Sequence, residues 1–162
     1  MSKVPTPTVL QLIKNPVYLL AFGFGTGLSP IAPGTFGTLI TIPVFLLLAQ
    51  TNLLLYLCTT FFLLLAGIWI CGQAARQLGV HDHGGIVWDE IVGFLITMIA
   101  VPATLTNIVI GFFLFRFFDI LKPWPVSWAD RNVHGGFGIM LDDIFAGLMA
   151  WMVFQALLFW VL

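Results

Sequence analysis

Charged side chains are missing from most of this sequence. Lys, Arg, Asp and Glu make up 8% of the 162 residues, against roughly 25% in soluble domains. None occurs in residues 15–75, 91–115 or 144–162. With 60% hydrophobic residues and a mean hydropathy of +1.06, the chain is expected to be an all-α, polytopic integral membrane protein. The six cations are scattered and form no basic stripe, so we expect no nucleic-acid partner.

Cysteine is also scarce, and its placement excludes a disulfide within the chain. Cys58 and Cys71 both lie in the second apolar run, at a separation of about 20 Å along one helix. A disulfide needs its two α carbons within about 7 Å of each other. Both cysteines are therefore predicted to be apolar packing groups.

The uncharged runs predict five membrane-spanning helices in a single domain that covers residues 1–162. The predicted spans are 33–49, 53–71, 87–101, 105–118 and 143–162. Pro16 interrupts the pattern before them, so residues 1–22 are expected to form an interfacial N-terminal segment. Residues 23–38 contain five glycines and two prolines, which predicts a loop, or a re-entrant segment whose backbone is buried in protein or wetted.

The charges are unequally divided between the two faces of this predicted bundle. Alternating spans place the N-terminal segment and the loops 72–88 and 119–142 on one side, together with all six Lys and Arg residues. The positive-inside rule assigns that side to the cytoplasm. Trp88, Trp124 and Trp128 flank the same side, as aromatic residues of a membrane interface do.

The third and fifth predicted spans begin with the same pattern. An Asp is followed four residues later by a Gly on the same helical face, as Asp89 and Gly93 in one span and as Asp143 and Gly147 in the other. Small residues allow membrane helices to approach closely. If these faces meet, the carboxylates at the two helix ends converge on the cytoplasmic side.

Two adjacent pairs of acids at such helix ends suit a divalent cation. Carboxylates brought together repel one another unless a cation or protons compensate them, and Mg²⁺ takes one or two protein carboxylates together with substrate phosphate oxygens. The predicted metal ligands, which are also predicted to be catalytic, are Asp89, Glu90, Asp142 and Asp143. The alternative is that the acids only cap their helices and complement the helix dipoles.

A second group of charges lies at the end of the fourth predicted span. Arg116, Asp119 and Lys122 share one helical face. In a phosphate-processing site, Arg116 and Lys122 would bind phosphate and Asp119 would assist the metal and the catalysis. The alternative is a stop-transfer cluster whose side chains reach the interface and only anchor the helix.

Polar loops supply the remaining candidates. The glycine-rich segment lacks a P-loop motif, but its amides could cradle an anion, and Gly25 and Thr35 are its candidates for phosphate binding. Arg131 is a candidate for neutralising transition-state oxygens. His81, His83 and His134 lie in polar loops, where a lone histidine is more often solvated than a base, and Asp82 is a further nearby acid. Among the histidines, His83 is our candidate for proton transfer.

Three long and unusual blocks carry a resemblance to a known family. They are GFGTGLSPIAPGTFGTL, GVHDHGGIVWDEIVGF and FRFFDILKPWPVSWADRNVHGGFGIMLDDIFAG, and they extend over residues 23–147. In this order they resemble the three signature blocks of the phosphatidylglycerophosphatase A family. The resemblance implies a Mg²⁺-dependent lipid phosphatase of the bacterial inner membrane, which converts phosphatidylglycerophosphate to phosphatidylglycerol. The family's functional acids correspond to Asp89, Glu90, Asp119, Asp142 and Asp143.

Residues and resemblance together predict an enzyme that hydrolyses a phosphomonoester lipid at the cytoplasmic surface while the acyl chains stay in the bilayer. The alternative from another class is a small membrane transporter of an ion or anionic solute. Transporters place ionisable groups near the bilayer midplane, whereas the mid-span positions of this chain are uncharged. A CDP-alcohol phosphotransferase is not expected, because its Asp- and Gly-containing motif is absent.

Overall fold

The computed structural model describes residues 6–80 and 83–161, and within these residues the chain forms eight α-helices, one 3₁₀ segment and no strand. The predicted all-α class is therefore confirmed. The α-helices are α1 (Val9–Lys14), α2 (Pro16–Ala21), α3 (Pro33–Leu48), α4 (Leu53–Leu78), α5 (Trp88–Thr97), α6 (Leu105–Leu121), α7 (Val126–Asn132) and α8 (Gly135–Val161), and the 3₁₀ segment is Gly23–Leu28.

Short polar side chains begin several of these helices by satisfying the free backbone N–H groups of the first turn. Thr8 forms a capping box at the start of α1, and Asn15, Asn52 and Thr104 cap α2, α4 and α6. Asn15 also ends α1, so the step from Asn15 to Pro16 divides the N-terminal segment into two helices. The break predicted at this proline is confirmed.

Helix α5 lies at the centre of the molecule. Every residue of Trp88–Thr97 is buried except Glu90, which is partly exposed, and α3, α4, α6 and α8 all pack around it. A Cβ atom placed on Gly147 of α8 would lie 2.5 Å from the carbonyl oxygen of Gly93 in α5. The two glycines thus allow the helix backbones to touch, as predicted from their shared spacing behind Asp89 and Asp143.

Helix lengths depart from the predicted spans. Helix α3 matches its prediction, whereas α4 and α6 continue further, to Leu78 and Leu121. Helix α5 ends at Thr97 instead of 101, and its ten residues extend only about 15 Å, half of a hydrocarbon thickness of roughly 30 Å. Helix α8 begins at Gly135, about two turns before the predicted start at 143.

Two helices of the described chain are long and apolar enough to cross a membrane, namely α4 and the Gly135–Trp160 part of α8, and α3 is apolar but shorter. The outer face of α4 is apolar, with Leu54 71% exposed and Phe62 67% exposed. The structure thus gives two candidate spans where the sequence predicted five. The shortfall is clearest at α5, whose neighbours, not lipid, surround its side chains.

The bundle has two different ends. The uncharged turns that follow α3 and α5 line a single cavity of about 200 Å³, with Thr51 on one turn and Pro102 on the other. At the opposite end, the first turn of α3 meets Glu90 near the start of α5 and Arg116 near the end of α6. The charged groups of these helices therefore gather at one end of the bundle.

Three local predictions need correction. Trp88 is not an interfacial aromatic residue, because it is buried and donates its Nε1–H to the carbonyl oxygen of Leu63; Trp124 and Trp128 are exposed. The glycine-rich stretch is not an irregular loop before the predicted span at 33, since Gly23–Leu28 forms the 3₁₀ segment. The segment between α6 and α8 contains the short helix α7, which was not predicted.

Candidate active site

Three acids from two helices converge at the end of the bundle where α5 begins. Asp89 and Glu90 lie in the first turn of α5, and Asp143 lies in the third turn of α8. Each offers a carboxylate oxygen, and these oxygens all lie within 4.8 Å of one another. Asp143 is 3% exposed and Asp89 is 9% exposed. Three carboxylates in so small and dry a space call for a compensating cation or protons.

Helix capping does not explain the acids of α8. The helix begins at Gly135, so Asp142 and Asp143 lie inside it, beyond the turn in which a cap acts. In α5, the Oδ1 atom of Asp89 accepts the backbone N–H of Glu90 at 3.1 Å. Capping therefore accounts for one contact of Asp89 and leaves the convergence of the three carboxylates unexplained.

Asp142 is not part of this three-acid group and pairs with Lys122. The Oδ2 atom of Asp142 lies 2.8 Å from Nζ of Lys122, and that Nζ also lies 2.5 Å from Oδ1 of Asp130. Burial by itself lowers the pKa of Lys122, but the hydrogen bonds to Asp130 and Asp142 outweigh burial and hold the pKa above its usual range. Phosphate binding by Lys122 and metal binding by Asp142 stay predictions.

Arg116 connects α6 to the acids of α5. Its Nη1 atom lies 2.5 Å from Oδ2 of Asp119 and 3.7 Å from Oε1 of Glu90. Asp119 in turn interacts with the side chain of Asp143. The Arg116 side chain is only 14% exposed, whereas an anchoring arginine would extend its guanidinium into water. The geometry therefore disfavours the anchor alternative for Arg116.

Glu90 and Arg116 also carry unsatisfied polar atoms. In the described part of the chain, four buried side-chain polar atoms lack a hydrogen-bond partner, and three of them are Oε2 of Glu90 and Nε and Nη1 of Arg116. The Nη1 atom is close to Asp119 but makes no hydrogen bond of good geometry. The Oε2 atom of Glu90 and the Nε atom of Arg116 have no hydrogen-bond partner, and such groups are rare in folded proteins because leaving one unpaired costs about 1–3 kcal/mol. Here an acceptor and donors stand unsatisfied side by side.

The glycine-rich segment reaches this site through Gly34. A Cβ atom on Gly34 would lie 2.0 Å from Oε1 of Glu90 and 2.9 Å from Nη1 of Arg116. Only a glycine lets the first turn of α3 come this close. The next residue, Thr35, lines a groove together with Arg116. Thr35 was predicted as a site residue from the sequence and Gly34 was not. The glycine directly after Pro33, at a helix start, could have indicated a close backbone approach.

The other predicted site residues lie elsewhere or make other contacts. Gly25 has a φ of +105°, and a Cβ there would face the side chain of Leu12. His83 packs its ring on Phe22 and accepts the backbone N–H of Gly85 at its Nδ1 atom. The exposed Arg131 lies on α7. His81 and Asp82 lie outside the described residues.

Comparison with known proteins agrees with the resemblance. The sequence profile of the family described as Phosphatidylglycerophosphatase A matches residues 19–158. The chain belongs to the phosphatidylglycerophosphatase A family. All of the residues that form the site described above, from Gly34 to Asp143, lie within the matched range. Its relatives are named as phosphatases, and this protein is accordingly an enzyme of the phosphatase class.

Individual relatives cover most of the chain. The Escherichia coli (strain K12) protein named Phosphatidylglycerophosphatase A is 49% identical over 142 residues, which are 85% of this chain and 81% of the relative. The Haemophilus influenzae protein of the same name is 45% identical over 93% of both chains. A Bacteroides thetaiotaomicron protein, provisionally named a phosphatidylinositol-3-phosphatase, is 37% identical over 87% of this chain and 94% of its own. No solved structure matches the chain.

Proposed function

We propose that this family member is a Mg²⁺-dependent phosphatidylglycerophosphatase, which hydrolyses the terminal phosphomonoester of phosphatidylglycerophosphate to phosphatidylglycerol and phosphate. The observation that carries the proposal is the pairing of an unsatisfied acceptor on Glu90 with unsatisfied donors on Arg116. A phosphate bound together with a divalent cation would satisfy both. The names of the family and of two relatives supply the substrate.

The donor set fits Mg²⁺. Asp89, Glu90 and Asp143 would hold the ion, because each can direct one carboxylate oxygen into the same small space and hard oxygen ligands are those that Mg²⁺ prefers. When bound, Mg²⁺ polarises the phosphoryl group and lowers the pKa of a water ligand. The buried and unpaired Oε2 atom of Glu90 supports this assignment, since a cation would satisfy it.

The remaining groups would bind and orient the phosphate. The planar guanidinium of Arg116 can give parallel hydrogen bonds to two phosphoryl oxygens, and its charge would offset the negative charge that spreads over these oxygens during transfer. Asp119 forms an ion pair with that guanidinium through its Nη1 atom. The first turns of α3 and α5 face the same place, and their backbone N–H groups favour an anion.

The reaction itself is a hydrolysis without a covalent intermediate. The oxygen of a water molecule bonds to phosphorus, the bond from phosphorus to the glycerol oxygen breaks, and that oxygen leaves with a proton. His83 is the candidate for a proton-transfer group, a role that the contacts of its ring with Phe22 and Gly85 leave open. Neither Cys58 nor Cys71 is proposed as a nucleophile, because both belong to the apolar helix α4, and the Cys71 thiol lies against the sulfur of Met140.

The site is proposed to face the cytoplasm from the bacterial inner membrane, with the five apolar segments crossing the bilayer as a unit. Every Lys and Arg falls at the acid-bearing end by the predicted topology. Cysteines introduced at Thr51 and Thr104, in a background without Cys58 and Cys71, should react with an impermeant maleimide from the periplasm. A cysteine at the unhindered Gly84 should react only after the membrane is opened, and the reverse pattern would refute this orientation.

Two alternative functions make different predictions. A transporter of an anionic solute would need ionisable groups along a path through the bundle, whereas the acids described here gather at one end. A phosphoinositide phosphatase would use the same chemistry on another head group. The name of the Bacteroides relative is the observation that supports this alternative. Phosphate release from a lipid panel separates all three.

The test is hydrolysis by detergent-purified protein in mixed micelles. The panel is phosphatidylglycerophosphate, phosphatidylinositol 3-phosphate, phosphatidate and lysophosphatidate, each with Mg²⁺ and with EDTA. We expect release from phosphatidylglycerophosphate above the others, and loss of release with EDTA that added Mg²⁺ restores. Equal rates in EDTA would refute the metal, and preference for the inositol lipid would refute the substrate. No release from any lipid would favour the transporter.

A further inference from the structure

A groove of about 570 Å³ runs beside Arg116, between the first turn of α3 and the side of α6. Its polar walls are Thr35 and Arg116, and its other walls are apolar. These include Phe112, Phe113, Phe117 and Ile120. The α6 residues recur at the spacing of one helical face, so a single stripe of the helix forms the floor.

This apolar stripe continues along α6 toward the middle of the bundle. A second cavity of about 420 Å³ shares Phe113 and Phe117 with the first and adds Val109, Ile110 and Leu114. From residue 109 to residue 117 the helix rises about 12 Å. The continuous surface therefore leads from the charged end toward the middle of the molecule.

The stripe is open to the surroundings. Phe113 is 65% exposed and Phe117 is 56% exposed. Both are large apolar side chains, and removing such surface from water is favourable. The outer face of α4 is apolar and equally exposed, so exposure alone does not distinguish this stripe; what distinguishes it is that it begins at Arg116 and Thr35 of the candidate site. An amphiphile with its charge at Arg116 and its hydrocarbon along α6 matches this distribution.

We propose that this groove binds an acyl chain of the same lipid whose phosphate is held at Arg116. The inference rests on the proposed function and adds the path by which the lipid lies on the enzyme. Arg116 is the shared element: it lines the groove, and it contacts Glu90 and Asp119 of the acid site. A phosphate ester bound by the Arg116 guanidinium would have its glycerol and chains beside Thr35 and Phe113.

The first experiment compares two substrates that share a head group. One is long-chain phosphatidylglycerophosphate in mixed micelles, and the other is its deacylated, water-soluble form. In Phe113→Ala and Phe117→Ala we expect KM for the long-chain lipid to rise by about fivefold or more, because apolar contact with the chain is lost. The kcat/KM for the deacylated form should stay within about twofold of the wild type, since the phosphate site is untouched.

Matched controls come from α4. Phe61→Ala and Phe62→Ala remove equally exposed phenylalanines, 61% and 67% exposed, which lie outside both cavities. They should leave the kinetics of both substrates unchanged. The proposal would be wrong if the α6 variants lost as much activity on the deacylated substrate as on the long-chain lipid. It would also be wrong if the α4 controls lost as much activity on the long-chain lipid as the α6 variants do.

A second measurement keeps the test decisive if the deacylated form reacts too slowly to follow. A phosphatidylglycerophosphate with a photoreactive diazirine in its acyl chain should label peptides of α6 that contain Phe113 and Phe117. Unlabelled phosphatidylglycerophosphate should prevent the labelling, and phosphatidylcholine should not. Equal competition by both lipids would mean that only bulk membrane lipid covers the groove. Absence of any phosphatase activity would instead refute the proposed function, whatever the labelling.

Discussion

The backbone of Gly34 lies directly against the carboxylate of Glu90. The space that a single methyl group would need is taken by Oε1 of Glu90, at 2.0 Å, and by Nη1 of Arg116, at 2.9 Å. Three segments that are remote in sequence, the starts of α3 and α5 and the end of α6, therefore meet without a gap. The contact explains why position 34 is a glycine.

Gly34→Ala should lower activity and leave the fold in place. Alanine favours a helical turn over glycine by about 1 kcal/mol, so α3 itself should not suffer, but the new methyl group must displace Glu90 or Arg116. We expect kcat/KM to fall by at least about tenfold with a thermal midpoint close to that of the wild type. Gly84→Ala is the matched control, because nothing lies within 4 Å of that position. Full activity in Gly34→Ala would show that Glu90 can move freely.

The three-acid group predicts opposite effects on activity and on stability. Asp89→Asn, Glu90→Gln and Asp143→Asn should each lower turnover, at least one of them by about 10²-fold, which is about 2.7 kcal/mol of barrier lowering. Without Mg²⁺, the same changes should raise the thermal midpoint, because each removes repulsion among carboxylates within 4.8 Å of one another. Added Mg²⁺ should stabilise the wild type and have less effect on the variants.

Asp142→Asn separates this group from its neighbour in the sequence. Asp142 pairs with Lys122, so we expect a smaller loss of turnover than in Asp143→Asn and no gain in metal-free stability. Asp130→Asn is a surface control of the same chemistry, with its side chain 38% exposed. If Asp142→Asn were the most damaging change and Asp143→Asn harmless, the metal site would have to be moved by one residue along α8.

Part of this arrangement could be predicted from the sequence, because it follows from helical periodicity. The spacing from Asp89 to Gly93 and from Asp143 to Gly147 sets an acid and a close-packing residue on one face, and the structure joins those faces at Gly93 and Gly147. The helix starts at Asn52 and Thr104 follow from side chains that cap local backbone groups. Such signals act within one or two turns and need no tertiary context.

Other features depend on contacts that spacing cannot encode. Asp143 shares the face of Gly147, but the pairing of the adjacent Asp142 with Lys122, 20 residues earlier in the chain, could not be predicted from helical spacing. Trp88 has the sequence position of an interfacial aromatic residue, but its indole N–H donates to the carbonyl of Leu63 in α4, a contact that spacing does not indicate. Helix α5 looks like a span because it is apolar, yet its apolar side chains face four other helices. A helix buried by protein and a helix buried by lipid are both rich in apolar residues, so composition alone does not distinguish them.

Lys122 should stabilise the protein up to high pH. Its pKa is raised in the folded state by Asp130 and Asp142, so its contribution is fully present below the unfolded pKa of about 10.4 and is lost as pH rises through the folded pKa. The gap in thermal midpoint between wild type and Lys122→Met should therefore stay constant from about pH 6 to about pH 9 and shrink above about pH 10.4. A gap that closes near neutral pH would show that Lys122 is not held by these carboxylates.

Arg116→Lys tests whether the guanidinium binds phosphate or only pairs with Asp119. A lysine ammonium can keep the ion pair with Asp119, but it cannot offer the two parallel hydrogen bonds that a guanidinium gives to a phosphoryl group. We expect normal abundance in the membrane and a loss of at least about tenfold in kcat/KM, which is about 1.4 kcal/mol of transition-state stabilisation. The measurement is steady-state hydrolysis of phosphatidylglycerophosphate in mixed micelles, normalised to folded protein. Full activity in Arg116→Lys, with failure of Arg116→Ala to accumulate, would make this residue a structural partner of Asp119 and Glu90 and would move the phosphate contact to Lys122 or Arg131.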